Sequence, residues 1–334
     1  LHDYRIRQET MMKVFIIGAT GFLGYHATRI FLERGHQVAT VSLPPMPEAD
    51  LLPAEVDCTL ADINEMTDSQ LSDLLKGFDA VVFAAGRDER IAPEAPAWDY
   101  FKKHNVDSCS RVITLAAGAG CTRGVVLGSY FAHFDRLWPE YELSKHHPYI
   151  RSRVMQAEEA IKAGGKRMDV MILELPYIFG NIPGRIPLWK SVLLDGFYER
   201  KSIAFMGGGT AAVTARQVGQ AIVGAVEKGQ GGKCYPVGGE NITFAALYRK
   251  LADNMGLENK KLKKIPKWLI KIVFRRITKA EVASGHESGA DHVRMADIYY
   301  RNTFIDPKIA GDALGVEKDD FEAALGETVR ACYT

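Results

Sequence analysis

Two hydrophobic periods alternate along the first half of the chain. Val14-Phe15-Ile16-Ile17 is a short unbroken apolar run, the pattern of a strand buried on both faces. Leu23, Ala27, Ile30 and Phe31 then recur at helical spacing, and Gly35 supplies a stop. Residues 37–43 and 56–60 read as a second and a third strand. A helical stretch follows around Leu71, Leu74 and Leu75, and 79–84 is a fourth strand. A long helix next carries Val106, Cys109, Ile113 and Ala116 on one face. Residues 124–127 form a fifth strand, 149–163 a further helix and 169–173 a sixth strand. Repeated strand-then-helix units predict the α/β class: a parallel, doubly wound sheet covered by helices on both faces.

After Pro176 the rhythm breaks into a stretch rich in Gly, Pro and aromatic residues. Helices resume over 217–226 and 244–255, with a short strand at 233–237. The expected division is a dinucleotide-binding domain over 12–180, with 205–240 returning to it. Residues 181–204 and 241–330 would form a smaller, interleaved substrate domain. Trp268, Leu269, Ile272 and Val273, in the apolar and basic segment 266–276, are expected to pack over the substrate pocket, in preference to docking on a membrane.

Composition narrows the partners. The 334 residues carry 42 basic and 41 acidic side chains, so no global field favours nucleic acid or an anionic membrane, and neither is expected as a partner. Five scattered cysteines without a CxxC pair suit a reducing cytoplasm and suggest neither disulfides nor a zinc site. No apolar run approaches the roughly 18 residues of a membrane span. The first eleven residues lack the apolar core of a signal peptide and read as an extension, with the fold starting near Met12.

The strongest motif is Gly18-Ala19-Thr20-Gly21-Phe22-Leu23-Gly24, set between the first strand and the first helix. One glycine permits a sharp turn, one lets backbone approach a pyrophosphate, and one allows close helix–strand packing. The amino end of the helix then offers free N–H groups and partial positive charge to the anion.

This GxxGxxG spacing resembles that of the extended short-chain dehydrogenases/reductases, the NAD-dependent epimerase/dehydratase family, and the likeness continues to about residue 330. It implies adenine contacts from Asp62 and Ile63, and a cofactor-lining turn at Ala84, Ala85 and Gly86. It also implies a helix-stabilising role for Asn105. Glu174 to Gly180 resembles the segment beside the nicotinamide, so Pro176, Tyr177 and Ile178 are expected there. Ser42 ends the second strand with neither the carboxylate that marks NAD nor an arginine for a 2′-phosphate. The cofactor is therefore NAD or NADP, and the missing carboxylate tips the balance slightly to NADP.

The same resemblance implies a tyrosine and a lysine one helical turn apart, the cation lowering the phenol's pKa from about 10 towards the working pH. Tyr141 and Lys145 fit by letter, whereas Tyr149 is followed at that distance by Arg153. We assign Tyr149 and Arg153, because Tyr149 stands 26 residues ahead of Leu175 and a helical pattern continues beyond it. Pro148 disfavours helix just before it, so Tyr141–Lys145 is expected to be a loop near the cleft mouth. Arginine keeps the charge and can fork onto ribose hydroxyls, but it cannot relay a proton. The hydroxyl that holds the substrate oxygen falls to Ser129 or Tyr130. Gln217 stands where the resemblance implies an acidic residue.

Other candidates are weaker. Arg87-Asp88-Glu89-Arg90 after strand four, His133, Arg185 and Trp189 could touch substrate. His146-His147 lacks a third ligand at sensible spacing, so no metal is expected. The expected activity is reversible hydride transfer at a hydroxyl or carbonyl carbon of a small molecule. Tyr149 would be the general acid/base, and Arg153 would orient the ribose. A nucleotide-sugar epimerase or dehydratase is the close alternative, and a non-catalytic NAD(P)-binding redox sensor the alternative of another class. The helices over 101–117 and 149–161 and the resemblance together imply a homodimer.

Overall fold

The computed structural model describes residues 11–333, so the expected extension at 1–10 lies outside the described residues. The first half runs β1 (Lys13–Ile17), α1 (Phe22–Glu33), β2 (Gln37–Ser42), β3 (Asp57–Leu60), α2 (Asp68–Leu75) and β4 (Ala80–Phe83). It continues with α3 (Ala97–Phe101), α4 (Ser108–Ala119), β5 (Arg123–Ser129), α5 (Tyr130–Leu137), α6 (Leu143–His146), α7 (Pro148–Gly164) and β6 (Asp169–Leu175). The second half runs β7 (Tyr177–Phe179), α8 (Asp195–Glu199), β8 (Ser202–Phe205), β9 (Gly209–Thr214), α9 (Ala215–Lys228) and β10 (Cys234–Pro236). Then come β11 (Glu240–Thr243), α10 (Phe244–Asn254), β12 (Lys261–Lys264), α11 (Lys267–Ala283), α12 (His292–Tyr299), β13 (Asn302–Thr303), α13 (Lys308–Leu314) and α14 (Phe321–Tyr333).

Seven parallel strands form the main sheet in the order β10-β6-β5-β4-β1-β2-β3. The order reverses between β1 and β4, and such a switch opens a crevice at the carboxyl edge where ligands bind. One face buries Val14, Ile16, Val82 and Val125 under Ile30, Phe31 and Ile222 of α1 and α9. The other buries Phe15, Val81 and Val126 under Leu71, Ile113 and Ala160 of α2, α4 and α7. Strands covered on both faces are apolar throughout, which is why their sequences show unbroken runs.

Differences from the sequence reading concentrate after β6. Within 205–240, α9 packs on α1 and β10 joins the main sheet, whereas β9 pairs with β7, β11 and β13 in a second sheet. Those strands have two to six residues each, too short for a clear period. The predicted long helix is real but interrupted: α3 passes through a π-helical turn, Lys102–Asp107, into α4. Tyr141–Lys145 is not a loop, since a 3-10 turn over Pro139–Tyr141 leads into α6.

The packing expected of α11 is overturned. Trp268 is 65% exposed, and Leu269, Ile272 and Val273 are also open to solvent; none lies on the main cavity. Only Ile270 of this helix is buried. Its inner face is held instead by Lys267 and Lys271, which both pair with Asp297 of α12 at 2.6 and 2.9 Å.

Candidate active site

The glycine loop is held from below by β2. Gly18, at φ +98°, donates its N–H to the Val41 carbonyl at 2.8 Å. Ala19 N–H donates to Thr40 Oγ1 at 3.1 Å and Thr20 N–H to Ser42 Oγ at 3.2 Å, while Gly21 N–H closes back on the Gly18 carbonyl. Ser42 is buried, and its hydroxyl is engaged in this support and with Thr40. No side chain caps α1. The N–H groups of Phe22, Leu23 and Gly24 in its first turn are therefore the ones oriented to meet an anion. A Cβ on Gly24 would overlap the Gly18 carbonyl and sit 2.8 Å from Ala19 Cα, so the turn requires glycine there. Beyond β3, Asp62 accepts the Asn64 N–H at 2.9 Å and Ile63 is buried.

A cavity of 440 Å³ opens at the carboxyl ends of β4, β5 and β6. Phe22 and Leu23 contribute one wall, Ala84, Ala85 and Gly86 the floor after β4, and Pro176, Tyr177 and Ile178 the strand-six side. Ser129, Tyr130, Tyr149 and Arg153 face the same space. Gly18, Thr20, Gly21, Gly24, Ser42, Asp62 and Ile63 lie outside this wall, along the glycine loop and the ends of β2 and β3.

Helix α7 starts at Pro148, whose missing N–H suits a first helical position, while His147 before it is extended. This start aims Tyr149 into the cavity, with its backbone N–H on the Gly289 carbonyl at 2.8 Å and its ring edge-on to Phe101 at 5.7 Å. Ser129 ends β5, caps α5 by accepting the Phe131 N–H, and its hydroxyl pulls the Tyr149 phenol's pKa down. Tyr130 instead pairs its hydroxyl with Thr210 Oγ1 of the second sheet at 3.2 Å. Of the two candidate hydroxyls, Tyr130's is engaged by the second sheet, and Ser129's is the one that acts on the Tyr149 phenol.

Arg153 lies one turn along α7, its Cζ 5.1 Å from the Tyr149 ring centroid. Nη1 donates to Gln156 Oε1 at 2.9 Å and to the Leu127 carbonyl at 3.4 Å, and Nη2 to the Arg87 carbonyl at 2.8 Å. Of the five N–H groups, one on Nη2 and the buried, unpartnered Nε–H remain. The arginine was expected to pull the phenol down, and it does pull in that direction. Burial outweighs it, and with Glu89 and Asp88 nearby the Tyr149 phenol stands above its ordinary range.

Asn105 sits in the π-helical turn, where such turns often mark functional sites. It accepts the Arg87 N–H at 2.7 Å and donates to Ser152 Oγ at 3.0 Å, tying the β4 exit to α7. A Cβ on Gly86 would sit 3.0 Å from Arg153 Nη1 and 3.3 Å from Asn105 Oδ1, a tight fit that would press on both side chains.

The charged run after β4, weak in sequence, belongs to the cavity wall through Asp88, Glu89 and Arg90. Arg90 forks onto Asp88 with contacts of 2.5 Å and stacks 5.3 Å over Trp189. Burial, with help from Asp88, pushes the Glu89 carboxyl up to about 7 against the pull of Arg90 and Arg153. The signal that could have raised Glu89 is its position, six residues past the carboxyl end of β4 in a doubly wound sheet. Arg185 and Trp189 also line the cavity. His133 does not; it stands 4.0 Å from Glu174, which Arg136 clamps at 2.7 Å. Lys145 pairs with Glu142 at the surface. Gln217 closes a reciprocal cap with Thr214 and donates to the Glu317 carbonyl, a structural use of the position.

The glycine cradle, the uncapped α1 and the orphaned Arg153 Nε fit an anionic dinucleotide, and comparison with known proteins points the same way. Residues 14–238 match the family described as NAD dependent epimerase/dehydratase family. The chain is 27% identical over 199 residues to the Bacillus subtilis (strain 168) protein described as an uncharacterized sugar epimerase, YhfK, covering 58% of this chain and 85% of that one. The fold of gox2253 superposes with a TM-score of 0.76 at 19% identity, over 95% of this chain and 97% of that one. DesIV, a dTDP-glucose 4,6-dehydratase from Streptomyces venezuelae solved with NAD and TYD bound, superposes with a TM-score of 0.66 at 20% identity, over 96% of each chain. With the family match spanning most of its length, this chain belongs to the NAD-dependent epimerase/dehydratase family.

Proposed function

We propose that the protein is an oxidoreductase that moves hydride between a nicotinamide dinucleotide and a hydroxyl or carbonyl carbon of a small molecule. The observation that carries this reading is the convergence of Tyr149, Ser129 and Arg153 on one cavity beside the glycine loop. When bound, the nicotinamide supplies or accepts the hydride. The chain's own residues do the rest. The uncapped turn of α1 binds the pyrophosphate, and the free Nη2 N–H of Arg153 serves the ribose hydroxyls. Ser129 and Tyr149 hold the substrate oxygen between them, and the proton moves at Tyr149 Oη. Phe22, Leu23 and Ile178 exclude water from that exchange.

NAD is the cofactor form bound in DesIV. At the end of β2, buried Ser42 and exposed Leu43 supply neither carboxylate nor cation, so NADP is compatible with the same turn. Nucleotide-sugar epimerisation or dehydration is the second reading. It is favoured by the exposed Arg185 on the cavity wall, which has no ion-pair partner among the described residues and could take a diphosphate. In solution we expect a homodimer through the outward faces of α4 and α7.

The test pairs cofactor titration with turnover. NADH and NADPH are titrated by fluorescence, then carbonyl compounds and nucleotide sugars are screened with wild type and Tyr149→Phe. Turnover that falls about a hundredfold or more in Tyr149→Phe, with cofactor binding kept, supports the reading. Tight binding with no turnover across the panel would favour the non-catalytic sensor, and turnover indifferent to Tyr149→Phe would remove the phenol from the mechanism.

A further inference from the structure

The chain's near-zero net charge conceals a local concentration. From Lys260 to Lys279 there are nine basic residues and no acidic one, against a net charge of +1 for the whole protein. Three of the nine are engaged internally: Lys260 on the carbonyls of Phe197, Tyr198 and Arg200, and Lys267 and Lys271 on Asp297. The other six, Lys261, Lys263, Lys264, Arg275, Arg276 and Lys279, are exposed and have no ion-pair partner among the described residues.

The same segment displays apolar surface. At 100° per residue, Ile270, Phe274, Thr278 and Glu281 form the inner face of α11, and the Phe274 ring lies tilted against His292 and edge-on to Tyr299. Leu269, Val273 and Ile277 run as an exposed stripe beside it, and Trp268 and Ile272 project among Arg275, Arg276 and Lys279. Exposed apolar residues this closely grouped mark an interaction surface, in contrast to scattered single ones. An apolar stripe with Trp, flanked by Lys and Arg, is the pattern of a helix that lies in a membrane interface.

We infer that α11 and the adjoining β12 dock this protein peripherally on an anionic bilayer surface, Trp268, Leu269, Ile272 and Val273 entering the headgroup region and the six free cations facing lipid phosphates. This goes beyond the proposed chemistry and departs from the expectation of no membrane partner, which rested on charge averaged over the chain. Charge complementarity selects the occupant. A second copy using the same face would set six cations against six, the arrangement a symmetric interface must avoid. A polyanion without an apolar phase would leave the Leu269–Val273–Ile277 stripe in water. No described helix is long and apolar enough to cross a membrane, so the attachment is to the surface.

Co-sedimentation of the full chain with vesicles tests the proposal. Phosphatidylcholine vesicles are compared with vesicles that also contain phosphatidylglycerol, for wild type, a charge reversal (Arg275→Glu, Arg276→Glu, Lys279→Glu) and an apolar deletion (Trp268→Ser, Val273→Ser). All substituted residues are exposed, and circular dichroism checks that the variants fold. Binding to the anionic vesicles is expected to exceed that to neutral ones by about tenfold or more, and each variant should lose most of it. Equal binding to both vesicles, or none, would overturn the proposal. So would loss in the charge reversal alone, which indicates plain electrostatic adhesion. A concentration-dependent dimer abolished by the apolar deletion would assign the face to a second copy instead.

Discussion

Arg153 holds its guanidinium over the Tyr149 ring at 5.1 Å while committing three donors to Leu127, Arg87 and Gln156. The cation is thus a fixed part of the wall as much as a partner of the phenol. Its pull on the phenol is smaller than the opposing effect of burial.

Arg153→Lys is expected to lower stability by about 2 kcal/mol, because one ammonium cannot reach three acceptors set for a planar fork. Calorimetry should show a Tm several degrees below wild type. An unchanged Tm would mean that the three bonds contribute nothing net.

Burial pushes Glu89 up to about 7, and its charge acts on the phenols of Tyr149, Tyr130, Tyr177 and Tyr299 while Asp88, Arg90 and Arg153 act on it. Its ionisation adds negative charge beside Tyr149 and holds that phenol up. Glu89→Gln should therefore remove an inflection near pH 7 from the kcat/KM profile and move the alkaline, phenol-dependent limb to lower pH. A profile identical to wild type would detach Glu89 from the site's titration.

Gly24→Ala should abolish dinucleotide binding and destabilise the fold by about 1–3 kcal/mol, since the new methyl meets backbone that cannot yield. Fluorescence titration and thermal melting check the two halves separately. A variant that binds as wild type does would show that α1 can move away from β1.

His147 is buried at the start of α7, its Nδ1 accepting the Asp291 N–H at 2.9 Å, and burial pushes it down to about 4. It is neutral in the native state and protonates near its ordinary 6.5 once unfolded, so the unfolded chain binds more protons between those values. The stability it confers is complete above about pH 6.5 and is lost towards pH 4, at up to about 1.4 kcal/mol per pH unit. His147→Asn, which keeps an acceptor there, should flatten that slope in denaturant titrations at pH 5 and 7. An unaltered slope would move the effect to other groups.

The main sheet was legible because strands buried on both faces announce themselves as apolar runs, and the glycine loop because its turn tolerates few residues. β5 and β6 run two residues further than their apolar signal, to Ser129 and Leu175, since the carboxyl edge that bears the site is polar or irregular. Glu89 and Arg90 were indistinct for the same reason: a charged loop reads alike whether it faces water or a cavity. α11 misled in the opposite direction. Amphipathic periodicity reports that a helix has an apolar side, but not which neighbour, if any, covers it.

The bonds from Val41, Thr40 and Ser42 to the turn above them have a thermodynamic corollary. Because neighbouring strand atoms already fix the backbone between Gly18 and Thr20, a dinucleotide arriving there orders no additional chain. Its recognition is accordingly closer to fitting a preset mould than to induced folding, and substitution of Thr40, whose hydroxyl supports the turn from within β2, should weaken affinity.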